Sequence, residues 1–435
     1  MHPRYREKNI ARVYIMKNTK LLSLILKETN DLITSNEYKE AYSLGNSFSR
    51  NRKLSFSNTV HFICSALRKS ISSEINNFIE EHEYLKFPSI TKQAFSKARQ
   101  NISPEAFNEL CRLFVDKFYN LNKNLKTWNG FNVLAVDGTS LQVPDTKECG
   151  EYFGLSKNQN KTRTAIATAS ALYDVLNDII VDARITKYKT SERCIAKQHI
   201  ESMRENFFPQ KSIVIFDRGY PSYDMFDYLN SKELLFLMRV STSFKLAQSV
   251  DSFDSILEYE IKGEMKKIRV IKVKLSDDVT ETLVTNIYDD NITPSKFKEL
   301  YFLRWGVESK YKELKSSIKI EEFSGTKPIA IKQDFYASIY LSMIVALIKK
   351  DVDIRIENDN KKLNSIYQSN RNFILGQVFK KIIALLVKSK LRNKLLESIL
   401  EKAIKIRSQI RHNRSRERKN KHPRKKHHHN VKSCI

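Results

Sequence analysis

Two short apolar runs that each end in an acid constrain the fold of this chain more than any other feature. FNVLAVDG (131–138) runs into Asp137-Gly138, and KSIVIFDRGY (211–220) runs into Asp217 with a glycine at one remove. Apolar stretches this short, closed by turn-forming residues, are the pattern of buried strands. Between them lie TAIATASALYDV (164–175) and DIIVDARIT (178–186), two further strands that meet at a turn around Asp174 to Asp178. A polar, helix-compatible segment follows from Ser191 to Arg204; a proline-started helix spans Pro221 to Leu229, and LLFLMRV (234–240) supplies one more strand. Hairpin strands followed by strands separated by helices predict a mixed α/β sheet. Each acid also fits the plain role of turn former at a strand end.

From about Ser241 to Ile292 the polarity alternates, in KKIRVIKVKL and ETLVTNIYD, which predicts antiparallel strands with one face in water and a β-rich insertion. Next comes FKELYFLRWGVESKYKELKSSIKI (297–320), preceded by Thr293-Pro294, a helix start with an N-cap and a first-turn proline. Read as one helix at about 100° per residue from Tyr301, it places Arg304 near ~300°, Lys315 near ~320° and Glu308 near ~340°. Leu300, Leu303, Val307, Tyr311, Leu314 and Ile318 form the adjoining apolar stripe, so Glu308 falls where core meets surface. The same spacing also suits an ion pair of Glu308 with Arg304 or Lys312 on a solvated face.

Residues 1–125 carry helical periodicity in Leu21–Leu32, Val60–Phe78 and Phe107–Phe118. SITKQAFSKARQNIS (89–103), with Lys92, Lys97 and Arg99, fits either a small helix-turn-helix-like DNA reader or an ordinary basic bundle. LNKNLKTWNG (121–130) reads as a linker. After the 297–320 stretch, a long apolar helix and further helical patterns run to about Ile406, and 402–426 is dense in Lys and Arg. Such a tail contacts phosphates without sequence preference, and its His427, His428 and His429 read as incidental. The whole chain has 76 Lys plus Arg against 49 Asp plus Glu, a formal charge of +27 that points to a polyanion partner, nucleic acid before others. The cysteines show no Cys-x-x-Cys pair, which argues against zinc. No signal-peptide pattern follows the basic N-terminus, and the apolar run 336–348 is shorter than the ~18 residues of a membrane span, so a soluble cytoplasmic chain is expected.

The ordered motifs VDGTSLQVPD (136–145), FDRGY (216–220) and Tyr301-x-x-Arg304-x-x-x-Glu308 with, after six intervening residues, Lys315 resemble the DDE transposases of bacterial insertion sequences, above all the fourth insertion-sequence family with its Tyr-Arg-Glu-Lys signature. The likeness covers about Lys92 to Ala337. It implies a ribonuclease-H-like core in which Asp137, Asp217 and Glu308 are the catalytic, metal-binding acids for two Mg²⁺ ions, with Mn²⁺ as a substitute. It further implies that Tyr301, Arg304 and Lys315 hold the DNA end. Trp305 can stack on a base, and Arg218 and Tyr220 can reach a phosphate.

The expected organisation is a helical DNA-binding region (1–125), the first part of the α/β core (131–240), the β-strand insertion (241–292), core completion with the Glu308 helix (293–350), a helical region (351–401) and the basic tail (402–435). The expected activity is a transposase that binds the inverted repeats of its element as a homodimer, cuts double-stranded DNA with Mg²⁺ and joins 3′-hydroxyls to target DNA. A non-catalytic DNA-binding regulator and a ribonuclease-H-like nuclease without strand transfer are the alternatives.

Overall fold

The computed structural model describes residues 3–49, 53–65, 67, 70–157, 163–206, 211–250, 252–276, 279–361 and 365–410. Most of the basic tail and its histidines therefore lie outside the described residues. Lys402–Gln409, expected to open the basic tail, belongs to the end of the helix Arg392–Lys405 and to a short strand, Arg407–Gln409, paired with Tyr367–Ser369. The chain divides into two compact units, one made of Met1–Lys123, Gln142–Ala167 and Leu314–Ile435, the other of Asn124–Leu141 and Thr168–Glu313.

The first unit is helical and built around Pro328–Asn360, against which Pro3–Thr34, Glu105–Leu121, Arg371–Val387 and Arg392–Lys405 pack. This central helix is long and apolar enough to cross a membrane, contrary to the shorter run expected from sequence, and 89% of its most apolar window is buried within the protein. The Val60–Phe78 periodicity resolves into two helices, Phe56–Cys64 and Ile71–Glu81, each N-capped by a serine, Ser55 and Ser70.

In the basic segment 89–103 Lys92 and Lys97 are exposed, whereas Arg99 is not available to DNA. The segment forms the helix Lys92–Arg99, and Arg99 is buried, with its guanidinium 2.9 Å from Asp334 Oδ1 and donating to Gln333 Oε1 and Ser324 Oγ at 2.9 and 2.8 Å. A buried guanidinium satisfied on three sides is an anchor within this unit, not a base reader.

The second unit is organised by a sheet. Its strands are β1 (Asn132–Gln142), the later part of β3 (Arg163–Asp174), β4 (Ile179–Lys187), β5 (Ser212–Phe216), β6 (Leu235–Val240), β7 (Asp254–Ile261), β8 (Glu264–Ser276) and β9 (Val279–Thr285). The first residues of β3 pair in the helical unit with β2 (Leu155–Lys157). The order runs β3–β1–β5–β6–β9–β8–β7, with β4 paired to β3. β5 is parallel to both β1 and β6, whereas β9 returns antiparallel to β6. This mixed order is ribonuclease-H-like. The strands expected as a β-rich insertion extend the same sheet, Leu237 facing Thr285, because β9 finds an unpaired edge on β6.

The 297–320 stretch is not one helix. Pro294–Phe302 and Trp305–Ser316 are separated at Leu303–Arg304. There Leu303, Arg304, Gly306 and Val307 each donate their backbone N–H three residues back, at 2.9–3.2 Å, the tighter 3₁₀ pattern. Apolar spacings of three and four residues suit both geometries, so the break is invisible in the pattern. Phe297, Leu300 and Tyr301 of the first helix pack into the sheet core with Val133, Ile213 and Leu237.

Two consequences for stability follow. Asp334→Ala would strand the buried Arg99 charge and should cost about 3–5 kcal/mol in chemical denaturation; a loss below about 1 kcal/mol would contradict the anchoring role. Asp351 is buried, and burial pushes its carboxyl from 3.8 up to about 6 although Asn18 and Thr19 donate to it at 2.7 and 2.9 Å. The native state thus holds a proton that the unfolded chain releases near 3.8, so this group's contribution falls as pH rises from about 3.8 to about 6. Asp351→Asn should gain on the order of 2 kcal/mol relative to wild type between about pH 3.5 and about pH 7, read from denaturation midpoints; a pH-independent difference would refute it.

Candidate active site

The parallel pairing of β1 and β5 brings the two strand-end acids to one level. Asn132 faces Ser212 and Ala135 faces Ile215, so the same register two residues further on sets Asp137 beside Asp217. Adjacent strands lie about 4.8 Å apart, which makes the two acids neighbours, Asp217 just past the end of β5 and Asp137 midway along β1, which continues to Gln142 instead of ending at the acid as the sequence predicts.

Asp137 is held by its backbone. Its carbonyl accepts from Tyr311 Oη at 2.9 Å and from Ser170 Oγ at 3.0 Å, and its carboxylate accepts the Gly138 N–H at 2.8 Å. Behind Ser170 stands a buried chain: His199 Nε2 is 2.9 Å from Ser170 Oγ, and His199 Nδ1 is 2.6 Å from Asp182 Oδ2. Burial pushes the Asp137 carboxyl up to about 6; the Gly138 N–H and Arg304 oppose this, and Glu308 and Asp217 add to it. Asp217 accepts from Tyr301 Oη at 3.1 Å.

Glu308, 43% exposed, lies on the second of the two helices and is joined to the aspartates through Arg304. The Arg304 guanidinium, 3% exposed, is 2.7 Å from Glu308 Oε1 and 4.0 Å from Asp137 Oδ2. Its Nε is buried without a hydrogen-bond partner among the described residues. Glu308 thus forms the i,i+4 pair with Arg304, and the same guanidinium approaches Asp137.

Three of the six side chains expected to touch DNA are buried: Tyr301, Arg304 and Tyr220. Tyr220 is the clearest correction. At 1% exposure it offers no face to a phosphate, and its hydroxyl has no partner among the described residues. Burial pushes that hydroxyl far up, and the anions acting on it are Glu192, Asp137 and Asp217 in that order. In this arrangement Tyr301 and Arg304 meet carboxylates. Arg218 is exposed, and Trp305, 45% exposed, carries the Arg304 guanidinium 4.8 Å from its ring. Lys315 is half-buried, 3.6 Å from Glu321.

Two residues went unnoticed in the sequence. Phe302 is 70% exposed, an unusual place for a phenylalanine, three residues before Trp305. Glu192 opens the helix Glu192–Asn206, and its carboxylate oxygens lie against Gly138 and Gly219. The only sequence signal for Glu192 was an acid at the start of the polar segment after β4.

The acids supply hard oxygen donors of the kind Mg²⁺ takes. Among the described residues no three His, Cys, Asp or Glu side chains are drawn together closely enough to hold an ion as they stand. The positive charge at this point is the Arg304 guanidinium, which holds Glu308, and the residues fit a divalent cation in kind.

Comparison with known proteins converges on one family. The model of the transposase DDE domain matches residues 128–344, about half of the chain and the stretch that holds Asp137, Glu192, Asp217 and Glu308. Two curated proteins of Escherichia coli strain K12 are similar. "Putative transposase InsZ" is 27% identical over 146 residues, 33% of this chain and 47% of that protein. "Transposase InsG for insertion sequence element IS4" is 21% identical over 275 residues, 57% of this chain and 59% of that protein. The chain thus spans about half the length of the curated relatives it matches. A solved structure, the cryo-EM structure of the piggyBac transposase synaptic complex with hairpin DNA, aligns with a TM-score of 0.45 and 10% identity over 87% of this chain and 84% of that one. The chain belongs to the DDE transposase family of insertion sequences.

Proposed function

We propose that this protein binds the inverted-repeat ends of its own insertion sequence, pairs two ends as a homodimer, cleaves the strands with Mg²⁺ and joins the freed 3′-hydroxyls to target DNA. The observation that carries the reading is the β1–β5 register, which sets Asp137 and Asp217 side by side, with Glu308 linked to them through Arg304. Asp137, Asp217 and Glu308 would hold the cation, with Mn²⁺ as a substitute. When bound, it supplies activation of the attacking water or 3′-hydroxyl and stabilisation of the leaving oxygen.

The chain's own residues do the rest. The two hydroxyls on the Asp137 carbonyl fix where that acid points, and Tyr301 does the same for Asp217. Arg304 neutralises the crowded acids, and its guanidinium would be free to meet a phosphate at the DNA end if Glu308 held the cation. Arg218 and Lys315 add charge for the backbone, and the exposed Trp305 and Phe302 offer ring faces to an unstacked base. A net charge of +27 favours this partner over any neutral one. A DNA-acting protein of a bacterial insertion sequence works in the cytoplasm.

Incubating the purified protein with end DNA and Mg²⁺ should give strand cleavage, and Glu308→Gln should lower its rate at least about a hundredfold with end binding retained. Equal cleavage by the two proteins would remove Glu308 from the chemistry, and DNA binding with no cleavage by either would favour the regulator; cleavage without joining of pre-cut ends would favour the simple nuclease. Trp305→Ala should weaken binding of end DNA by about 1–3 kcal/mol in fluorescence anisotropy at fixed salt, with Trp305→Phe recovering most of it. Unchanged affinity in the alanine variant would rule out base stacking there.

A further inference from the structure

Glu192 stands apart from the acids named by the family motifs, yet its carboxylate occupies their site. A β-carbon built on Gly138 would lie 3.4 Å from Glu192 Oε1, and one built on Gly219 would lie 3.3 Å from Oε2. Gly138 directly follows Asp137, and Gly219 follows Asp217 at one remove. The Glu192 carboxylate thus lies beside the backbone of both glycines, within contact distance of a β-carbon at either. Among the described residues it makes no hydrogen bond or ion pair.

An acid in the first turn of a helix is ordinarily explained by the helix dipole. Here a second observation points outward from the helix. Tyr220, buried at 1% exposure, has a hydroxyl without a partner, and Glu192, Asp137 and Asp217 are the anions that act on it most. A buried hydroxyl left unpaired is destabilising unless something else occupies its donor and acceptor sites. Four carboxylates with one guanidinium leave a strongly negative centre that favours further positive charge. No three of these side chains close on one point, so direct ligation by all of them does not fit the arrangement. Mg²⁺ commonly keeps several of its waters and binds through one or two carboxylates, and oxygen groups set slightly back suit those waters.

We propose that Glu192 is a fourth carboxylate of this centre and that, with the Tyr220 hydroxyl, it holds the water shell of the divalent cation bound by the strand-end acids. The idea rests on the reading of Asp137, Asp217 and Glu308 as the cation site. It makes Glu192 a positioning residue, and it gives Gly138 and Gly219 a shared reason to lack side chains.

The test is Mn²⁺ titration of the full chain without DNA, followed by the loss of the free-ion EPR signal, in wild type, Asp217→Asn, Glu192→Gln, Tyr220→Phe and Gly219→Ala, with metal-free thermal unfolding of each. The expected result is loss of most binding in Asp217→Asn and a roughly 10–100-fold weaker affinity in Glu192→Gln. Tyr220→Phe and Gly219→Ala should weaken binding severalfold, the latter without removing a charge, which keeps the test open where Glu192→Gln fails to fold. Wild-type affinity in Glu192→Gln and Gly219→Ala, alongside loss in Asp217→Asn, overturns the role of Glu192 and leaves the cation site standing. Lower metal-free stability of Glu192→Gln with unchanged Mn²⁺ affinity also overturns it, in favour of a helix-dipole role. No binding by wild type, or equal binding by Asp217→Asn, overturns the cation site and this proposal with it.

Discussion

The hydrogen-bond register between β1 and β5 is the constraint on which the site depends. Because the strands are parallel and start level, Asn132 with Ser212, two acids separated by eighty residues of chain arrive at the same height. A slip of one residue would turn one of them to the opposite face of the sheet. The apolar residues Val133, Ile213 and Ile215 are buried, and their burial fixes the register that the acids inherit. The core thus serves the chemistry by holding two side chains it does not contain.

Crowding acids at one place raises the free energy of their ionised forms, and the protein meets this with Arg304. A guanidinium is always charged and planar, so it can face Glu308 and Asp137 at once where a lysine would serve one. The break at Leu303–Arg304 makes this possible. It ends the helix that carries Tyr301 into the sheet core and starts another that presents Glu308, so each side chain reaches its acid from its own helix.

Much of this was legible in the sequence because it is local. The apolar runs at 131–136 and 212–216 announce two buried strands, although β1 runs on past Asp137 and Gly138 to Gln142, and Thr293-Pro294 marks a helix start where one is found. What depends on partners far away along the chain was not legible. Arg99 reads as a basic surface residue until Asp334, more than two hundred positions later, encloses it. Tyr301 and Arg304 sit beside the apolar stripe on a helical wheel, but only the sheet beneath them decides that they are buried. Glu192 needed two glycines from two strands to define its place, and no spacing in one dimension encodes that. The 3₁₀ turn was hidden because spacings of three and four residues satisfy either helix.

The chain of contacts Asp182–His199–Ser170 ending on the Asp137 carbonyl has the residue types of a hydrolase triad, but every member is buried and the serine hydroxyl is committed to a backbone oxygen. Its meaning is mechanical. It ties the position of one acid to the hairpin of β3 and β4 and to the helix that carries His199. Drift in this lineage is therefore bounded from within: exposed lysines can be exchanged at small cost, whereas a neutral hydroxyl beneath the sheet surface carries the aim of the whole centre.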